Sequence, residues 1–137
     1  MAGGQTILVI DDDGTAREVT SALLMAAGFT CHAIASPIGA TRAMRELRIE
    51  AVVCDLNMPA MQGDALAKLF RQSRSLREIP VVVISSAPHE ELEPLLASGN
   101  VDAIVHKGDL HTGLVQQLRK LLSGRPSPGP LPSRPAT

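Results

Sequence analysis

Five short apolar runs divide the chain, and each is followed by a segment with helical spacing. "TILVI" (6–10) is rich in β-branched residues and bounded by acids, which predicts a strand buried on both faces. From Gly14 to Ala27, Ala16, Val19, Leu23 and Ala26 recur at helical spacing, and Gly28 closes the segment. "FTCHAI" (29–34) predicts a second strand, and a helix is expected from Pro37 to Leu47, with Ser36 as its N-cap. "AVVC" (51–54) reads as a third strand, followed by a loop and a helix from about Asp64 to Arg74. "PVVVIS" (80–85) predicts the fourth strand, with a helix from about Pro88 to Ser98. "VDAIVH" (101–106) is the fifth, and Leu110, Leu114, Leu118, Leu121 and Leu122 mark one face of a last amphipathic helix.

Strict strand–helix alternation calls for a parallel sheet with helices on both faces. The leading expectation is an α/β, flavodoxin-like, doubly wound sheet of five strands in the order 2-1-3-4-5 with five helices. The closing "GRPSPGPLPSRPAT" (124–137) holds half of the ten prolines and almost nothing apolar. It reads as a Pro-rich flexible tail or linker, able to reach roughly 40 Å if extended, which leaves residues 1–123 as the folded domain.

Composition narrows the function classes. Apolar residues make up 45% and charged residues 20%, a globular balance that suits one domain with a real core. A net charge of −1 argues against electrostatic binding to nucleic acid or an anionic membrane. With no Trp or Tyr, and only Phe29 and Phe70 as aromatics, base-stacking platforms are not expected. The opening "MAGGQTILVI" lacks the basic region of a signal peptide, and no stretch reaches the roughly 18 apolar residues of a membrane span. Cytoplasmic location is the simplest expectation. The two cysteines, Cys31 and Cys54, make neither a disulfide framework nor a metal motif. In the expected strand order they lie two strands apart, roughly 9.5 Å, beyond disulfide reach.

In an open parallel sheet, functional groups gather at the carboxyl ends of the strands. The first strand ends at Asp11, Asp12 and Asp13, the third at Asp55, the fourth at Ser85 and Ser86, and the fifth at Lys107. Each has a plainer reading: Asp13 as a helix cap, the other acids as loop polarity, the serines as loop hydroxyls, the lysine as a solvated charge. Four strand ends converging on one rim outweigh these. Crowded carboxylates repel one another unless a cation lies among them, and an incomplete shell of hard oxygen ligands suits Mg²⁺. A carboxylate beside such an ion and an ammonium is placed to attack a phosphoryl group and form an acyl phosphate.

The segments "ILVIDDD", "VVCDLNMPAMQG", "IPVVVISS" and "IVHK" resemble, in order and spacing, the receiver domain of bacterial two-component response regulators. The resemblance spans about residues 5 to 123, and "DLNMP" with a following glycine is among the family's more specific marks. It implies that Asp55 is phosphorylated by a sensor histidine kinase or a phosphotransfer protein. It also implies that Asp11 and Asp12 bind Mg²⁺ with Asp55 and the backbone carbonyl of Asn57. Ser85 takes the place of the family's switch Ser/Thr, and Lys107 that of the lysine that contacts the phosphoryl group. The implied output is a downstream effector protein or domain, and the face of the fourth helix, fifth strand and fifth helix allows a homodimer.

Two positions depart from the family. Its lysine is usually followed by proline, often in a cis bond, whereas Gly108 stands here. A non-proline cis bond costs roughly 2.5–4 kcal/mol, so a trans bond is expected. The switch aromatic is replaced by Ile104, which cannot move a ring between solvent and core. These departures motivate an alternative, a pseudo-receiver docking module that works without phosphorylation. A third reading, a phosphatase acting through an aspartyl phosphate, requires an acid at position 57, where Asn57 stands. His106 is expected to point away from Lys107; Met58 and Met61 read as gap-fillers or an adaptable surface, and Gly63 as the residue permitting a turn into the third helix.

Overall fold

A computed structural model describes residues 5–123; the proline-rich segment lies outside the described residues. Five strands alternate with five helices: β1 (Thr6–Ile10), α1 (Gly14–Ala26), β2 (Thr30–Ile34), α2 (Ala40–Glu46), β3 (Ala51–Asp55), α3 (Gly63–Arg71), β4 (Val81–Ser85), α4 (His89–Ala97), β5 (Ala103–His106) and α5 (Leu110–Leu122). A 3-10 turn, Lys107–Asp109, joins β5 to α5. All strands are parallel, in the order β2-β1-β3-β4-β5, as the alternation predicts.

The two-residue period of the strands divides the core between the faces of the sheet. On one face Leu8, Ile10, Val52, Cys54, Val81 and Val83 pack with Ala40 and Met44 of α2 and Leu66, Ala67 and Phe70 of α3. On the other, Ile7, Val9, Val53, Val82, Ile84 and Val105 pack with Leu24 of α1 and Leu114, Leu118 and Leu122 of α5. Every residue of β3 and β4 is buried, which explains their unbroken apolar runs. The edge strand β2 is half exposed.

The helix expected from Pro37 begins only at Ala40. Ser36 is not its cap: its Oγ accepts from the Ile38 N–H at 3.1 Å in a local turn, and the N-cap of α2 is Gly39, with no side-chain cap. The turn does not propagate, because Gly39 takes φ +93°, outside the right-handed helical region. Helix α3 ends at Arg71 rather than near Arg74. Arg71 Nη1 donates to the carbonyls of Arg77 and Ile79 at 3.1 and 3.0 Å and draws the following loop back across the helix end. Its Nη2 pairs with Asp102, which also accepts from the Val81 N–H at 2.7 Å. One guanidinium thus ties α3, the entry to β4 and the approach to β5 together at the amino end of the sheet.

Candidate functional site at the carboxyl rim

Register places the predicted groups side by side. Ile10 pairs with Cys54, so Asp11 and Asp55, each one residue on, emerge together from β1 and β3. Asp55 in turn pairs with Ile84, and Ser85 with His106. Asp11, Asp12 and Asp55 each offer a carboxylate oxygen, and these lie within 4.8 Å of one another. Asp11 and Asp55 are buried, whereas Asp12 is exposed.

Lys107 Nζ stands 3.4 Å from Asp55 Oδ1. Burial is the main reason that the Asp55 carboxyl lies above the ordinary carboxylate range, with the nearby Lys107 charge pulling the other way. Asp11 is raised too, first by burial and further by Asp55 and Asp12, while its bond from the Asp13 N–H at 3.0 Å and Lys107 oppose the shift. Two buried carboxyls that resist ionisation beside a third acid form a hard-oxygen donor set short of positive charge. That is the chemistry a divalent Mg²⁺ satisfies, so the residues present fit the ion.

The remaining predicted residues divide. Asp13 is the N-cap of α1, its Oδ1 accepting from the Thr15 N–H at 3.0 Å, and it does not join the acid cluster. Ser85 is fully buried at the end of β4, and its Oγ accepts from the Ala87 N–H at 3.0 Å. Asn57 is exposed in the loop after β3. Met58 is buried in the core and Met61 is exposed. Cys54 behaves as a small core residue: burial, then the charges of Asp55, Asp64 and Asp11, push its thiol up to about 12. Both cysteines are free, with β1 between their strands. Every described peptide bond is trans, that before Gly108 included.

Gly63 permits the turn into α3 by leaving room rather than by an unusual backbone conformation. It has no positive φ and is the first residue of α3. A Cβ there would stand 2.7 Å from the carbonyl oxygen of Asp55 and 3.2 Å from Cys54 Sγ. Glycine is required because the helix start lies directly against the strand end that carries Asp55. The Gly63 N–H donates to the Leu56 carbonyl at 2.8 Å, and the Leu56 N–H to Ile84 at 2.9 Å, closing the loop between them.

Two contributors were not legible in the sequence. Arg17 Nη1 donates to the Asp11 carbonyl at 2.8 Å and fixes the backbone that presents that acid. Its place in the first turns of a helix that follows the acidic loop was the available signal. His106 was expected only to point away from Lys107. Its Nδ1 accepts from the Gly108 N–H at 3.1 Å, and its ring stacks on His89 with centroids 5.8 Å apart.

The family model of the response regulator receiver domain matches residues 7–119. The chain belongs to the receiver domain family. It is similar to the DNA-binding response regulator MtrA of Mycobacterium tuberculosis, 33% identical over 82 residues that cover 60% of this chain and 35% of MtrA. The chain therefore spans about a third of that relative's length. The signal receiver domain of a signal transduction histidine kinase from Syntrophus aciditrophicus shares the fold at a TM-score of 0.80 and 24% identity, covering 93% of this chain and 98% of that one. So does TrrA of Thermotoga maritima, solved in complex with Mg²⁺ and BeF, at a TM-score of 0.76 and 23% identity, covering 86% and 99%. The receiver domain is a signalling module of two-component response regulators. Among the described residues no helix is long and apolar enough to cross a membrane.

Proposed function

We propose that this chain is a phospho-accepting receiver in which Asp55 takes a phosphoryl group from a sensor histidine kinase or a phosphotransfer protein in the cytoplasm. The observation that carries the reading is the Lys107–Asp55 pair at 3.4 Å beside carboxylate oxygens within 4.8 Å of one another. An Asp55 carboxylate oxygen forms a bond to phosphorus as the bond to the donor breaks, and the donor's imidazole, or acetate from acetyl phosphate, leaves with the electron pair. Asp11, Asp12, Asp55 and the Asn57 carbonyl would hold Mg²⁺, which supplies positive charge against the phosphoryl oxygens. Lys107 supplies a second cation from the β5 side. Ser85 Oγ, though it accepts from Ala87, keeps its own proton for donation to a phosphoryl oxygen. The TrrA complex with Mg²⁺ and BeF supports the reading by analogy of fold. A downstream effector then reads the phosphorylated form, and the face of α4, β5 and α5 would serve a homodimer.

A docking module that works without phosphorylation is favoured by one observation. Ile104 packs against the core and lines a cavity of about 130 Å³ with His89, Leu92, Glu93, Leu96 and His106, a fixed aliphatic wall rather than a mobile ring. Incubation with Mg²⁺ and acetyl phosphate separates the two readings. The receiver reading expects the mass of one phosphoryl group to be gained, and the gain to vanish in Asp55→Ala. Absence of that gain, with no binding of beryllofluoride, leaves the docking reading; a gain that persists in Asp55→Ala removes Asp55 as acceptor.

A further inference from the structure

The lysine that faces Asp55 sits on a turn held by its own predecessor. His106 ends β5, Lys107 opens the 3-10 turn, and His106 Nδ1 accepts from the Gly108 N–H at 3.1 Å across it. The contact is close on both sides: a Cβ at position 108 would stand 3.3 Å from Nδ1 and 3.7 Å from Cε1 of His106. Glycine makes room for the imidazole and, unlike proline, brings the N–H that it binds. His106 is also fixed from outside the turn. Its ring stacks on His89 at an interplanar angle of 25°, and His89 opens α4, four residues after Ser85. Ser85 and His106 are themselves register partners in β4 and β5. One imidazole pair thus spans the two loops that bring Ser85 and Lys107 to the rim.

We infer that His106 is a positioning residue for the phosphoryl site: its Nδ1 locks the Lys107 turn, and its stacking on His89 ties that turn to the loop after Ser85. The inference rests on the phospho-acceptor reading above. Lysine is a long, freely rotating side chain, so where its ammonium falls depends on how firmly its backbone is held. Glycine at 108 leaves the turn with the widest backbone freedom of any residue, and the His106 acceptor removes that freedom. Without it the Gly108 N–H turns to water, and Lys107 samples positions away from Asp55.

The test measures beryllofluoride affinity in the presence of Mg²⁺ by fluorine NMR for the wild type, His106→Leu and His106→Asn, with thermal melting as a check on folding. His106→Leu removes the acceptor and is expected to weaken affinity about three- to tenfold, the scale of one hydrogen bond. His106→Asn returns an acceptor, since an asparagine oxygen bonds the N–H two residues on in an Asx turn, and is expected within about twofold of wild type. Equal affinity in His106→Leu and wild type, or an Asn variant as weak as the Leu variant, overturns the inference. A wild type that binds no beryllofluoride fails one step earlier and removes the phospho-acceptor reading itself. Independently of folding in the variants, nitrogen NMR of wild-type His106 should show the Nε2–H tautomer, and the Nδ1–H tautomer would overturn the lock.

Discussion

At the residue scale, the acceptor carboxyl owes its position to an absent side chain. Asp55 is presented where it is because α3 begins against its carbonyl, at a separation that only Gly63 tolerates. Gly63→Ala is expected to lower stability by about 1–3 kcal/mol, the usual range for forcing an extra carbon into a packed site. Urea unfolding measures it, and an unchanged midpoint would show that the helix start can retreat at no cost. Because the atom that must yield is the backbone oxygen of Asp55, beryllofluoride affinity should fall in the same variant. The acids and the lysine of the rim were readable in the sequence because the ends of apolar strands are readable, and in a parallel sheet those ends fall on one rim. The reason for Gly63 was not, since nothing in the string places residue 63 against residue 55. The same holds for His106 and Arg17, whose hydrogen-bond partners are backbone atoms. Patterns of side-chain type report burial well, but they do not report which carbonyl or N–H a side chain will meet.

At the element scale, the strands and helices α1 and α4 were legible to within a residue or two, whereas the start of α2 and the end of α3 were not. Strands follow from unbroken apolar runs. A helix end is decided by local competition, as at α2, where Ser36 closes a local turn with Ile38 but Gly39 keeps that turn out of the helix. Helix α4 shows a different conflict. It buries only Leu92, whereas α3 buries Gly63, Leu66, Ala67 and Phe70. One buried leucine contributes about 1.5–3 kcal/mol, and Pro94, inside the helix, costs about 3 kcal/mol relative to alanine. The two nearly cancel, which leaves α4 weakly anchored. Pro94→Ala is therefore expected to raise stability by about 1–3 kcal/mol and to slow amide exchange along α4. A neutral or destabilising result would mean that the proline is compensated by packing. That helix also carries His89, so firming it is expected to leave the His106 stack in place.

At the scale of the whole molecule, the sheet and its two faces carry a rim that opposes folding. The carboxyls of Asp11 and Asp55 both lie above their ordinary value of 3.8, chiefly through burial. An acid raised in the folded state holds its proton more tightly there than in the unfolded chain. Its contribution is favourable below the unfolded value and is lost as pH rises through the folded one, so at neutral pH the rim is a net cost. Asp55→Asn removes one of those charges at nearly constant volume. In metal-free buffer at pH 7 it is expected to melt about 3–6 °C above the wild type, the equivalent of roughly 1 kcal/mol for a domain of this size. Mg²⁺ should reverse the ranking from the other side. Free Mg²⁺ at ten times its Kd adds about 1.4 kcal/mol to a folded state that binds it, and Asp55→Asn, one ligand short, should gain less at the same concentration. Calorimetry of both proteins with and without Mg²⁺ decides it. An asparagine variant that melts below the wild type in metal-free buffer would mean that Lys107 outweighs the burial of Asp55. A wild type indifferent to Mg²⁺ would mean that the three carboxylates do not hold the ion at all.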